Sequence, residues 1–99
     1  MSYLRVNMVS TESIENRDVI LDRINTKAGE MFPEIQMMLA IATGETTAMS
    51  ISIYEDEAAA GRAIAQRDQN LDSMGTKLEV AFEGELKAFY KKETINVGS

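Results

Sequence analysis

The chain has 99 residues, 44% of them hydrophobic and 26% charged, enough apolar content for one folded domain with its own core and too little length for two. It contains no cysteine and no histidine, which excludes a disulfide framework, thiolate nucleophiles and the hydrolases and zinc sites built around imidazole. A formal net charge of −6 argues against a nucleic-acid partner, because phosphate-backbone affinity rests on clustered Lys and Arg.

From Tyr3 to Val9, Leu4, Val6 and Met8 alternate with Arg5 and Asn7, the period of a half-buried strand. Ser10, Thr11 and Ser13 offer caps for a first helix running from Ser13 to Gly29 or Glu30, with Ile14, Ile20, Leu21, Ile24, Ala28 and Met31 on one arc. Pro33 disfavours helix at the preceding residue and marks the exit. The segment Ile35 to Ala42 is apolar on both faces and so demands two covers. A turn at Thr43-Gly44-Glu45 joins it to a second alternating segment ending at Tyr54, which predicts a β-hairpin.

Asp56 is a good N-cap for a second helix, with Glu57 well placed in its first turn and Gly75 at its close. Ala60, Ala63, Ile64, Leu71 and Met74 share one face of it. Leu78, Val80 and Phe82 then alternate with polar neighbours. Gly84 suggests a bulge, after which Leu86 to Tyr90 would continue the strand. Residues 1–92 are read as one domain and 93–99 as a loose tail. The basic cluster Lys87, Lys91 and Lys92 lies among Glu83, Glu85 and Glu93, which does not favour nucleic acid. No apolar run reaches the roughly 18 to 20 residues of a membrane span, and the N-terminus lacks a signal-peptide pattern. A cytoplasmic protein with no membrane partner is expected.

The order strand, helix, strand, strand, helix, strand predicts an α+β, ferredoxin-like βαββαβ domain, a four-stranded antiparallel sheet with two helices on one face. The helices are expected over the Leu4, Val6 and Met8 face. The opposite face would then carry Arg5, Asn7, Met38, Ala40, Ala48, Ser50, Ser52, Tyr54, Glu79 and Ala81, mixed enough in polarity to profit from a second sheet.

In element order, in the hairpin at Thr43-Gly44-Glu45, and in the junction Ile53-Tyr54-Glu55-Asp56-Glu57-Ala58-Ala59-Ala60, the chain from Tyr3 to Lys92 resembles the dimeric α+β barrel superfamily. That superfamily includes antibiotic biosynthesis monooxygenases and stress-responsive barrel proteins. The resemblance implies a homodimer paired through the sheet face, and pockets between sheet and helices or within the barrel. Haem-degrading members use a strand asparagine, a tryptophan and an axial histidine. Asn7 has the first position, but the chain has neither Trp nor His, so haem degradation is not expected. No cofactor is expected, and the acidic run Glu55-Asp56-Glu57 lacks calcium-loop spacing, so no metal site is expected either.

Arg67 falls in the middle of the apolar arc of the second helix. A guanidinium there would bind a carboxylate, phenolate or enolate, or pack its stem on the core while its head reaches solvent or an acid. Asn7, Ser50, Ser52 and Tyr54 would line a polar cavity on the barrel side, with Arg5 and Glu79 paired, or would set register at a dimer interface. Asn7 and Tyr54 are the weak catalytic candidates; Arg67, Ser50 and Ser52 are the ligand-binding ones. Met31, Met37, Met38, Met49 and Met74 would fill core gaps or shape an adaptable pocket. Two readings of function follow. One is a homodimeric barrel binding a small apolar or aromatic molecule, with cofactor-independent monooxygenase-like activity implied by the resemblance alone; the other is a non-enzymatic ligand-binding or structural dimer module.

Overall fold

β1 (Tyr3–Ser10), α1 (Ile14–Met31), β2 (Ile35–Gly44), β3 (Thr47–Tyr54), α2 (Glu57–Ser73) and β4 (Lys77–Glu85) succeed one another in the computed structural model, which describes residues 1–97. The expected tail residues Gly98 and Ser99 lie outside the described residues. The strands form one antiparallel sheet in the order β2-β3-β1-β4, which is the predicted ferredoxin-like arrangement. Among the described residues no helix is long and apolar enough to cross a membrane.

The expected caps are in place. The Asn16 backbone N–H donates to Ser13 Oγ at 3.1 Å and the Ala59 N–H to Asp56 Oδ1 at 2.8 Å, each satisfying a donor that the first helical turn leaves without a partner. Gly75 has φ 63°, the left-handed conformation that closes α2 and that a side chain would strain. One irregularity was not expected. Lys27, inside α1, leaves helical geometry with φ −136° and ψ 18°. Just before it the Thr26 hydroxyl donates to the Asp22 carbonyl at 2.9 Å, a back-bond of the kind that bends helices.

Two predictions for β4 are corrected. The bulge lies at Glu79 rather than Gly84, because Met8 pairs with Val80 and Val9 with Leu78 while Gly84 stays in register with Leu4. The strand stops at Glu85 and does not run on to Tyr90. Its only neighbour is β1, which begins at Tyr3, the residue paired with Glu85, so no ladder partner remains. The Leu86 N–H then bonds to the Ser2 carbonyl at 2.9 Å.

The larger correction concerns the two faces of the sheet. Paired residues share a face, and the register groups Arg5 with Ser52, Asn7 with Ser50 and Tyr3 with Tyr54. This mixed group lies beneath the helices. Arg5, Asn7, Val9, Ala48, Ser52 and Tyr54 are buried there, and the core cluster joins Tyr54 to Phe32 and to Ala59, Ala60 and Ala63 of α2. The apolar group is turned outward: Leu4, Val6 and Met8 on β1, Met49, Ile51 and Ile53 on β3, Met37, Leu39 and Ile41 on β2, and Val80 and Phe82 on β4. Alternation reports which side of a strand is greasier, not which side its own helices cover.

Candidate functional site

Three residues of α2 with one-carbon side chains, Ala59, Ala60 and Ala63, let the helix backbone approach the sheet closely enough to meet bulky polar groups. Arg5 is the extreme case. It is only 2% exposed, yet its Nη1 donates to the Ala60 carbonyl at 2.7 Å and its Nε to Glu83 Oε2 at 3.0 Å. A buried guanidinium is tolerated only with such partners. Tyr3 contributes a further bond, its hydroxyl donating to Glu83 Oε1 at 3.3 Å. The expected Arg5–Glu79 pair does not form, because the register sets Arg5 opposite Glu83, four residues along β4 from Glu79, and the Ser10 hydroxyl bonds to the Glu79 carboxylate at 2.7 Å instead.

Tyr54 sits four residues along β3 from Ser50, buried beneath α2 and Phe32. Burial pushes its hydroxyl pKa up, an effect opposed by the positive charge of Arg5, by the hydrogen bond with Ser52 and by Arg67. The hydroxyl therefore stays protonated at neutral pH and would act as a donor, not as a base.

Arg67 enters the same layer from α2. Its Nη1 points to Asn7 Oδ1 at 3.4 Å, and its Nε pairs with Asp68 Oδ1 at 3.0 Å. The first contact is long for a hydrogen bond, and Asp68 is well exposed to water while Arg67 is mostly buried. Both arginines pair Nε with a carboxylate at 3.0 Å, but Arg5 gives Nη1 to a buried carbonyl at 2.7 Å whereas Arg67 gives Nη1 to Asn7 at 3.4 Å, which leaves the Nη1 donor of Arg67 exchangeable for a stronger acceptor.

A cavity of about 40 Å³ lies at this point, between sheet and helices. Asn7, Ser50 and Arg67 are its polar walls, and Val9, Ile24, Met31, Phe32, Met38, Leu71 and Met74 most of the rest, with Asn70 at the edge. The structure thus brings together three of the five predicted site residues, on the helix side of the sheet and not on the expected barrel side. Ser52 and Tyr54 share that face but do not line the cavity. Asn70 was missed, although it stands one turn beyond Arg67 and the spacing alone would have placed it beside it. Glu83 and the Ala60 carbonyl had no sequence signal, because their meeting with Arg5 depends on strand register and helix docking. Among the described residues no group of acids is arranged to hold a metal ion.

The size of the cavity matters to its chemistry. A space of about 40 Å³ accommodates a water molecule or two, whereas an apolar cavity of about 150 Å³ admits benzene. Three of its walls are methionines, the side chains that repack most readily.

No family model and no curated protein matches the chain. Solved structures do. A TM-score of 0.67, at 6% identity and covering 92% of this chain and 98% of the other, relates it to an antibiotic biosynthesis monooxygenase-like protein of Chloroflexus aurantiacus. The monooxygenase ActVA-Orf6 of Streptomyces coelicolor, crystallised in complex with nanaomycin D, gives 0.63 at 10% identity with 93% of each chain covered. A dimeric ferredoxin-like protein from an uncultured marine organism gives 0.64 at 7% identity, covering 93% of this chain and all of that one. At such identities the similarity shows the shared fold, the one the dimeric α+β barrel proteins adopt, and leaves function to the site itself.

Proposed function

We propose that the protein is a homodimer that binds a small, flat, anionic molecule, aromatic or enolic, in the cavity between its sheet and helices. The observation that carries this reading is Arg67, a mostly buried guanidinium held by a long bond to Asn7 in a cavity walled, apart from Asn7, Ser50 and Asn70, by methionine, phenylalanine and aliphatic side chains. The anionic oxygen would take the Arg67 fork, with the Asn7 amide and Ser50 hydroxyl orienting its neighbours, and the ring would lie among the methionines, which must give way to admit it. Binding exchanges a weak Arg67–Asn7 contact for a charge-assisted one in a largely desolvated place, where such bonds are strongest.

The homodimer follows from the outward face. Leu39 and Ile41 are half exposed, Val80 is 40% exposed and Phe82 65% exposed, large apolar side chains gathered on one face of the sheet, the kind of surface that marks an interaction site. A second copy of the same sheet would cover it, in keeping with the dimeric ferredoxin-like neighbour. The monooxygenase-type neighbours extend the proposal to catalysis. Arg67 would stabilise a phenolate or enolate, the electron-rich form of such a substrate and the one that reacts with dioxygen, so the protein would need to supply a dry, positively charged site and no cofactor.

Fluorescence titration with 2-naphthoate tests the binding site. Arg67→Met should weaken binding by about 10- to 100-fold, the loss expected from one charge-assisted hydrogen bond, while leaving the melting temperature close to that of the wild type. Equal affinity in the variant, or no binding by the wild-type protein, would sink the proposal.

A further inference from the structure

The cavity is separated from solvent by one layer of side chains. Met31, Asn70 and Met74 line it from the helix side, and the same residues line open clefts outside: Met31 and Asn70 a cleft of about 720 Å³ between α1 and α2, and Met74 one of about 240 Å³ beside it. The backbone carrying this layer is interrupted on the α1 side, whereas α2 stays helical to Ser73. Met31 follows the break at Lys27, and Asn70 spends its side-chain amide on the Gln66 carbonyl at 2.8 Å, with the Ser73 hydroxyl on the Asn70 carbonyl at 3.0 Å. Opposite them Asn7 and Ser50 are held on the paired strands β1 and β3 and line no open cleft, whereas Met38 on β2 also borders an open cleft of about 550 Å³.

From this asymmetry we infer that Met31, Asn70 and Met74 form a gate, and that the cavity grows to ligand size by outward movement of the last turn of α1 and by rotation of the two methionines, not by any change in the sheet. The inference rests on the proposed binding site and adds its entry route and the residues that limit ligand size. The chemical reason for methionine at the gate is that an unbranched thioether turns between rotamers at little cost and leaves no polar group unpartnered when it does so. The Thr26 back-bond and the Lys27 break uncouple the last turn of α1 from the rest of the helix, so its movement need not disturb Ile20 in the core. The route leads between the helices, so it remains available whatever covers the outward sheet face.

Two measurements on the full chain test the gate. In ligand-free protein carrying ¹³C-methyl methionine, the Met31 and Met74 methyls should show microsecond-to-millisecond exchange, and Met49, on the outward face, should not. In stopped-flow mixing with 2-naphthoate, Met31→Ala should raise the association rate at least about threefold, because opening limits entry. Val19→Ala, in α1 before the break and lining the outer clefts but not the cavity, should leave association within about twofold of wild type. Met31→Leu, equal in bulk but branched, should slow association, and decides the matter if the alanine variant does not fold. Static Met31 and Met74 methyls, unchanged association in the Met31 variants, or equal acceleration by Val19→Ala would each overturn the gate. Failure of the wild type to bind 2-naphthoate would instead remove the proposed function, and the methyl exchange would still decide whether the gate exists.

Discussion

Two arginines stand in the same buried layer and differ in what their surroundings let them do. Arg5 gives Nε to Glu83 and Nη1 to the Ala60 carbonyl at 3.0 and 2.7 Å, so it ties β1 to β4 and α2, and it does not line the cavity. Arg67, with a long bond and a solvated acid, is the one with donors to spare. Position 67 stood out in the sequence because a guanidinium on an apolar helix face needs an explanation; position 5 was expected to pair with Glu79 on the opposite face of the sheet, and only the register and the docking of α2 bring it to Glu83 and Ala60. Tyr54 yields a pH-dependent prediction. Its folded pKa is raised by burial, so the native state favours the protonated hydroxyl. The stability it contributes is complete below the unfolded value of about 10 and is lost as pH rises through the higher folded value. Between pH 9 and 11 the melting temperature of the wild type should therefore fall more steeply than that of Tyr54→Phe. Parallel curves would show that the hydroxyl is not desolvated.

At the scale of elements, caps, turn and helix boundaries were legible because each depends on residues within a turn of one another. The strand ends were less so. Leu86 to Tyr90 has the composition of a strand, but a strand exists only where a partner has free backbone groups, and β1 has none beyond Tyr3. The closeness of α2 to the sheet was likewise hidden. A run of alanines favours helix anywhere, yet only docking shows that Ala60 is fully buried while Ala65 faces water. Ala60→Leu should cost about 1 to 3 kcal/mol by overpacking against Arg5 and Tyr54, whereas Ala65→Leu should stay within about 0.5 kcal/mol of wild type. Urea melts of the two variants, matched in helix propensity, would isolate the packing cost. Equal stability would mean that α2 is free to lift from the sheet.

For the whole molecule, the governing fact is that the greasier face of the sheet is the one its own helices leave open. A single chain presents Leu39, Ile41, Val80 and Phe82 to water, while the helices cover arginine, asparagine, serine and tyrosine. Placing an acid at the most exposed of these positions, Phe82→Asp, should yield a monomer at micromolar concentration by light scattering with the far-ultraviolet spectrum of the wild type. A mass unchanged from a wild-type dimer would place the interface elsewhere, and a monomeric wild type would remove the homodimer altogether.

The amino-acid sequence by itself determined the class of each of the six elements, the βαββαβ order and the unusual position of Arg67, since periodicity, capping and helical spacing are local properties. It also determined that the sheet has two faces needing cover and helices enough for one. Only the tertiary structure decided which face the helices take, that Asn7 and Ser50 meet Arg67 across a methionine-walled cavity, and that Arg5 finds Glu83 in place of Glu79. Those outcomes depend on strand register and on how closely α2 docks. Register is a property of pairs of strands distant along the chain, and the pairing of Tyr3 with Glu85 is what sets Arg5 opposite Glu83.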